Sequence, residues 1–372
     1  MKYALLVGIL WGFSFIVNGQ SIEDSYADSR AMNVPVINTY STLQLAAYIN
    51  YQFANDQQKI RAAYRWVTAN IRYDTDSMLA INWNQDNAEK IAATLRRKKG
   101  VCDNFASLFS DILVKMNIPS YTVHGITNQW GMADRAHSWT AVQQDNKWYL
   151  CDPTWDAGFI NEPRFFLISP HEFLTTHWPF DPLWQLIPYP VTYPEFKKGL
   201  AAGNQKKEMY TLPDAVNIFL SSDSLQQLET STYRMRTNGM EQKQLKLWVE
   251  YNQMNIAIMY EENNRILYNA AVADANNANE FLNNFTRYRN EFFKPAKTDA
   301  ELLAMLLPVH IFISEALKKV AAIGLKNNNF QYDTGLLKER LQALSKRLQE
   351  NNHFLNRYLQ AAATDREQVF YK

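Results

Sequence analysis

An α+β fold is predicted for the first half of this 372-residue chain, followed by a mainly helical C-terminal domain. Three observations predict it. Apolar residues recur at helical spacing before residue 120. Between residues 120 and 152 the period drops to two, as in strands. From about residue 212 the helical period returns and persists, with breaks at Gly239, near Pro295 and at "GLKNNN".

The elements follow in chain order. Residues 1–19 read as a secretory signal: Lys2 is a minimal positive start, Tyr3 to Val17 are mostly apolar, and Val17-Asn18-Gly19 offers small residues for cleavage. The apolar stretch is shorter than the roughly 20 residues of a spanning helix, so a cleaved signal is favoured over the rival reading, an uncleaved anchor. Export to the periplasm, envelope or medium is expected, without stable membrane insertion after cleavage. Residues 20–40 are polar and expected to be loosely ordered. Residues 41–197 should form the core domain. Within it, helices are expected over 42–53 and 56–70; the second carries Ile60, Ala63, Tyr64, Val67 and Ile71 on one face. "DNAEKIAATLRRK" (86–98) reads as a helix with Gly100 as its C-cap. The next helix, from about 103 to 116, aligns Phe105, Leu108, Phe109, Ile112, Leu113 and Met116. Strands are expected over 120–127, 137–144 and 147–152, with "QDNK" as a tight turn between the last two. Residues 160–195, rich in Pro, Trp and Phe, should wrap irregularly over this core. The boundary to the helical domain, 209–372, is placed in "KKGLAAGNQKKE" (197–208). "LLAMLLPVHIFI" (302–313) is too short to span a bilayer and reads as a buried, kinked helix.

Composition excludes several functions. A formal charge of +1 supplies no general field for nucleic acid or an anionic membrane. No glycine-rich phosphate loop is present, and no cofactor is expected. No metal site is expected either, because no Cys, Asp or Glu stands at ligand spacing beside His171 or His177. His177 reads as a packing or hydrogen-bonding residue, and His124 and His310 as core residues.

The chemistry centres on Cys102, one of two cysteines. It stands at a helix start, where unpaired N–H groups and the helix dipole favour a thiolate and could bind an oxyanion. Gly100 lets the chain turn sharply beside it. His137 and Asp152 lie on adjacent antiparallel strands. A two- or four-residue loop centred on Asp145 and Asn146 opposes Asp152 to Trp139 and sets His137 diagonal to it; a turn centred between Gln144 and Asp145 opposes His137 directly. Any even loop keeps both on one face, and an odd loop separates them unless a bulge intervenes. By the same alternation, an Asp152 facing the Cys102 helix turns Cys151 away. A Cys102–Cys151 disulfide and a Cys102–His137–Asp152 triad are therefore competing structures.

"GVCDNFASLFSDILVKMNIPSYTVHGI…RAHSWTAVQQDNKWYLCDPTWDAG" resembles the core of the transglutaminase-like superfamily, a branch of the papain-like cysteine fold. Gly100, Cys102, Phe105, Ala106, His137, Trp139, Asp152, Thr154 and Trp155 match its pattern in order and spacing. Trp66 and Tyr73 fit the preceding helix, and residues 165–187 resemble the trailing segment of the kyphoscoliosis-peptidase-like branch. Thr140 departs from the pattern, where Asn often follows the Trp. The resemblance implies Cys102 as nucleophile, His137 as general base and acid, and Asp152 as the residue that orients His137. Gly100, Trp130, Trp139, Thr154 and Trp155 would support the substrate site. It implies an exported enzyme acting on amide bonds of proteins or peptides through a thioester. Hydrolysis is favoured because the trailing segment looks like the peptidase-named branch. The alternatives are a protein cross-linking transglutaminase, and a non-catalytic envelope scaffold whose helical C-terminal domain binds a protein partner.

Overall fold

Asn55 accepts from Gln58 N–H and starts the helix around which the core is built. The computed structural model describes residues 22–77, 86–128, 134–158, 162–199, 211–324 and 332–371. The leader-like residues 1–19 and Trp130 lie outside that set. The chain divides into two compact units, Met1–Val249 and Glu250–Lys372.

In the first unit, α1 (Ile22–Met32) is a helix where loose order was expected. It buries Ala27 and Ala31, and the carboxylate of Asp28 takes two hydrogen bonds from Arg61, at 2.8 and 3.0 Å. Arg61 lies on the central helix α3 (Asp56–Asn70), behind α2 (Thr42–Gln52), and also binds Glu162. Two alanines and a carboxylate leave no apolar stripe in the sequence, which is why α1 is invisible there. β1 (Arg72–Tyr73) and β2 (Lys99–Gly100) pair in parallel around α4 (Asn87–Arg97). The left-handed cap of α4 is Lys98, with φ 50°, and not the expected Gly100. Gly100 serves the next element instead. A Cβ there would lie 2.5 Å from that of Asn104, so only glycine admits the first turn of α5 (Cys102–Lys115) so close to the chain.

Four antiparallel strands follow, β3 (Ser120–Thr127), β4 (Arg135–Gln144), β5 (Lys147–Cys151) and β6 (His177–Pro179), in the order β5-β4-β3-β6. A two-residue turn, Asp145 and Asn146 with φ 50° and 60°, joins β4 to β5 and opposes Thr140 to Cys151. Phe105, Leu108 and Phe109 of α5 bury with Val142 and Cys151, while Val123, Trp139, Ala141 and Leu150 form a second cluster. Thr140, fully buried, donates to Ala106 O at 3.2 Å and ties the hairpin to α5.

The segment expected to wrap irregularly contains α6 (Pro170–Phe173), β6, a 3-10 turn at Pro182–Gln185 and α7 (Tyr193–Lys197). β6 seats beside β3 because Gly125 has no side chain: a Cβ would meet Trp178 O at 2.3 Å and the Trp139 ring at 2.5 Å.

The polar run 197–208 lies largely outside the described residues, and the division between units falls later. α8 (Leu212–Ser221) and α9 (Ser224–Thr237) belong to the first unit, since Val216 and Phe219 bury with Leu183 and Trp184, and Met235 with Trp178 and Ile187.

α10 (Lys243–Asn290) starts in the first unit and continues in the second. There it forms a helical bundle with α11 (Asp299–Ala322) and α12 (Thr334–Gln360), built on Ala275, Leu282, Leu306, Val309, Leu341 and Leu344. The apolar run at 302–313 is part of a 24-residue helix, long and apolar enough to cross a membrane by length and composition alone. Its buried positions form one stripe, Leu302, Leu306, Val309 and Ile313, and Leu303, Leu307 and Ile311 are exposed. His310 is exposed rather than in the core, with Nε2 3.0 Å from Asn352 Nδ2.

Candidate active site

Cys102 is the first residue of α5. The helix lacks a capping side chain at Val101; Asn104 Oδ1 instead accepts from Val101 N–H at 2.9 Å, and Asn104 Nδ2 donates to Thr94 Oγ1. The first N–H groups of any helix have no partner within it, so this end favours an anion.

β5 stops opposite Thr140, so Arg135 to Trp139 pair with β3 on one side and, among the described residues, with no strand on the other. His137 stands on this open stretch. Asp152 follows β5 directly, and its N–H donates to Phe165 O at 2.8 Å. Its Oδ1 accepts from the N–H groups of Thr154 and Trp155, at 2.9 and 3.2 Å. Its Oδ2 lies 2.7 Å from His137 Nε2. With Nε2 so engaged, Nδ1 is the nitrogen of His137 left for Cys102, which lies within hydrogen-bonding reach of the ring.

The electrostatics follow. Burial, the largest influence on His137, would lower its pKa. The charges of Asp152 and then Cys102, with hydrogen bonds to both, outweigh it and push the imidazole up to about 10. Burial would likewise raise Asp152; the charge and hydrogen bond of His137, then His177, hold the carboxyl well below its usual range. Tyr73 is raised, by burial first and then by the charge of Cys102, so its hydroxyl stands protonated near the sulfur. Under the site, Tyr64 Oη lies 2.6 Å from Asp156 Oδ2 and 2.9 Å from Asp152 O, which fixes the turn after β5.

Cys102, His137 and Asp152 thus come together, with Gly100, Thr154 and Trp155 around them. Trp139 is fully buried, its ring edge-on to His177 at 5.1 Å. Both cysteines are free. The expected orientation of Cys151 is corrected: it buries in the cluster of Phe105 and Val142, on the α5 side. Strand alternation then puts His137 and Asp152 on the face of Trp139 and Leu150, opposite α5's apolar stripe. His137 meets Cys102 from the stretch of β4 that β5 leaves uncovered.

Sequence reasoning missed the place of His177. From β6 its Nε2 reaches Asp152 Oδ2 at 3.2 Å. The only signal was a histidine directly before a tryptophan in "THWPFD". The ligand atoms of His137, Asp152 and His177 lie within 4.8 Å of one another, a span that could also hold a cation. Hydrogen bonding to one carboxylate accounts for it: both Nε2 atoms are spent on Asp152, and the rings of Phe173 and Trp155 lie 3.9 and 4.4 Å from His177.

Residues 44–153 match the family model described as the transglutaminase-like superfamily. The kyphoscoliosis peptidase of Mus musculus is 27% identical over 173 residues, 42% of this chain and 25% of its own length. That of Homo sapiens is 27% identical over 172 residues, with the same coverage. The match thus spans about a quarter of the length of these curated relatives. Among solved structures, the periplasmic domain of TgpA from Pseudomonas aeruginosa, bound to ethylmercury, is similar at 19% identity. It covers 36% of this chain and 50% of that one, with a TM-score of 0.25.

Proposed function

We propose, from the match of residues 44–153 to the transglutaminase-like superfamily, that this chain is a cysteine-dependent acyl-transfer enzyme acting on amide bonds of proteins or peptides. The observation that carries the reading is the 2.7 Å hydrogen bond between His137 and the buried Asp152, with Cys102 within reach of the same imidazole. Cys102 Sγ attacks the carbonyl carbon, and an S–C bond forms as the carbonyl oxygen takes the negative charge. The free N–H groups at the start of α5 would donate to that oxygen, and the Tyr73 hydroxyl, which feels the charge of Cys102, is a further candidate donor. Collapse breaks the C–N bond, and the imidazolium of His137 gives its proton to the leaving amine. A thioester remains. Water then attacks it while His137 takes a proton, and the acid and the thiol are released. Asp152 holds the imidazole with Nδ1 toward the sulfur throughout.

We favour water over an amine as acceptor because the sequence similarity is to relatives named peptidases. The leader-like residues 1–19 support action outside the cytoplasm. The test is mass spectrometry of the chain after incubation with a glutamine peptide and a labelled amine. The expected result is an acyl adduct on Cys102, absent in Cys102→Ala, that resolves mainly to the free acid. Predominant amine incorporation would make it a cross-linker. No adduct, with Cys102→Ala behaving like the parent, would end the enzyme reading.

A further inference from the structure

We propose that His177 is a positioning residue of this site, giving its Nε2–H to the same oxygen of Asp152 that holds His137, at 3.2 Å against 2.7 Å. The proposal rests on the triad reading above and deepens it.

Asp152 is held by four donors: two backbone N–H groups on Oδ1 and two imidazoles on Oδ2. A carboxylate so bound cannot rotate without losing several hydrogen bonds. His177 is fixed in turn. It is fully buried, stacked on Phe173 at 3.9 Å, and its Nδ1 lies 2.8 Å from Thr176 Oγ1. The Thr176 hydroxyl also lies 3.4 Å from Phe173 O. A carboxylate only accepts, so the ring proton stands on Nε2, toward Asp152, and Nδ1 is left to accept from Thr176. Burial, the largest influence, holds His177 neutral by pushing its pKa down to about 4, against the opposing pull of Asp152. The ionisable groups facing it are Asp152 and His137; those facing His137 are Asp152, Cys102 and His177, and Tyr73 feels the charges of Cys102 and Arg135.

A ring that solvent does not reach cannot carry protons to and fro. Packing alone would be served by a phenyl group, so the N–H is the feature that needs histidine. It does two things. It fixes Oδ2 in place, and it takes up part of that oxygen's charge, which moderates the hold of Asp152 on the His137 proton. Without it, the charge falls on His137 alone and the carboxylate is freer to turn.

The experiment compares the full chain with His177→Phe and His177→Gln; glutamine can place an N–H where Nε2 stood. Two quantities are read: the pH profile of iodoacetamide alkylation at Cys102, and kcat/KM on a peptide amide. In His177→Phe the upper limb of the alkylation profile should move to higher pH, and kcat/KM should fall by about 10- to 100-fold. His177→Gln should restore both toward the parent. If His177→Phe fails to fold, Thr176→Val, which removes the hydroxyl that pairs with Nδ1 and so loosens the ring, should shift the limb the same way by less. Equal behaviour of the Phe and Gln variants, or an unmoved limb in Phe, overturns the proposal. So does stoichiometric Zn²⁺ in the purified parent that His177→Gln loses, since the cluster would then be a metal site. Alkylation reads the thiol–imidazole pair whether or not the chain turns over substrate, so a silent enzyme would sink the proposed function and leave this test standing.

Discussion

The two units treat charge in opposite ways. The first buries it: Arg61 with Asp28 among its helices, and Asp152 between two histidines at the site. The second builds its core on leucine, alanine and phenylalanine, keeps its Arg265–Glu262 and Arg366–Asp299 pairs largely exposed, and sets two arginines of α12 against asparagines of α10: Arg340 on Asn276, and Arg347 on Asn279 and Asn283. A buried charge that loses its partner is costly, whereas a surface charge bonded to a neutral amide stays solvated and loses little. The first unit gains a defined geometry by this means and becomes vulnerable to single polar changes. The second gains stability that depends on volume.

The sharpest way to break this contrast is Asp152→Asn. The amide keeps the shape but loses the charge that holds His137, and acyl transfer should fall by about 10⁴-fold. A peptide-cleavage assay showing less than a tenfold loss would mean that the buried charge is ornamental. In the second unit, Leu341→Ala empties a fully buried site and should cost about 3–4 kcal/mol in a urea melt, with the alkylation rate of Cys102 unchanged. A changed rate would show the contrast to be too clean. Arg61→Met should cost the first unit about 3 kcal/mol, at the low end for a broken buried pair because Arg65 Nε stays 3.3 Å from Asp28.

Titration sharpens the comparison further. His137 is raised to about 10, so its imidazolium contributes stability that is complete below an unfolded value of about 6.5 and is lost as pH rises toward 10. Asp152 is lowered, so its share is present above about 3.9 and is lost as pH falls through its native value; the two shares describe one ion pair and count once. Urea midpoints should therefore decline on the alkaline side, and Cys102→Ala should bring the end of that decline to lower pH. The smallest effect belongs to the second unit's surface. Arg347→Ala should change its stability by about 0.5 kcal/mol, and a loss several times larger would place polar weight where none is expected.

The hairpin was legible because its turn and its alternation are local. Asp145 and Asn146 sit between strands of period two, and Asp152 and His137 fall on one face as the spacing requires. Which face was not legible. Parity relates residues within a strand, but the helix that covers each side is decided by long-range packing, and Cys151 lies on the α5 side. β6 escaped notice because three residues, one of them a proline, carry no alternation; His177 was read as a packing or hydrogen-bonding residue, but without the strand its partner Asp152 was not legible. The compact units divide later than the polar run at 197–208 for a similar reason: the apolar stripes of α8 and α9 look like those of the bundle, and only burial of Val216 and Phe219 beside Trp184 assigns them.

Gly125 gives the site a dimension that no reactive side chain supplies. It pairs with His137 on one side and Pro179 on the other, and any side chain there would collide with the Trp178 carbonyl and the Trp139 ring. The gap between the two histidine-bearing strands is thus set by a missing methyl group. Gly125→Ala would push β6 outward and lengthen the reach from His177 to Asp152, so the acidity of a carboxyl 27 positions downstream is tuned by one hydrogen atom on β3.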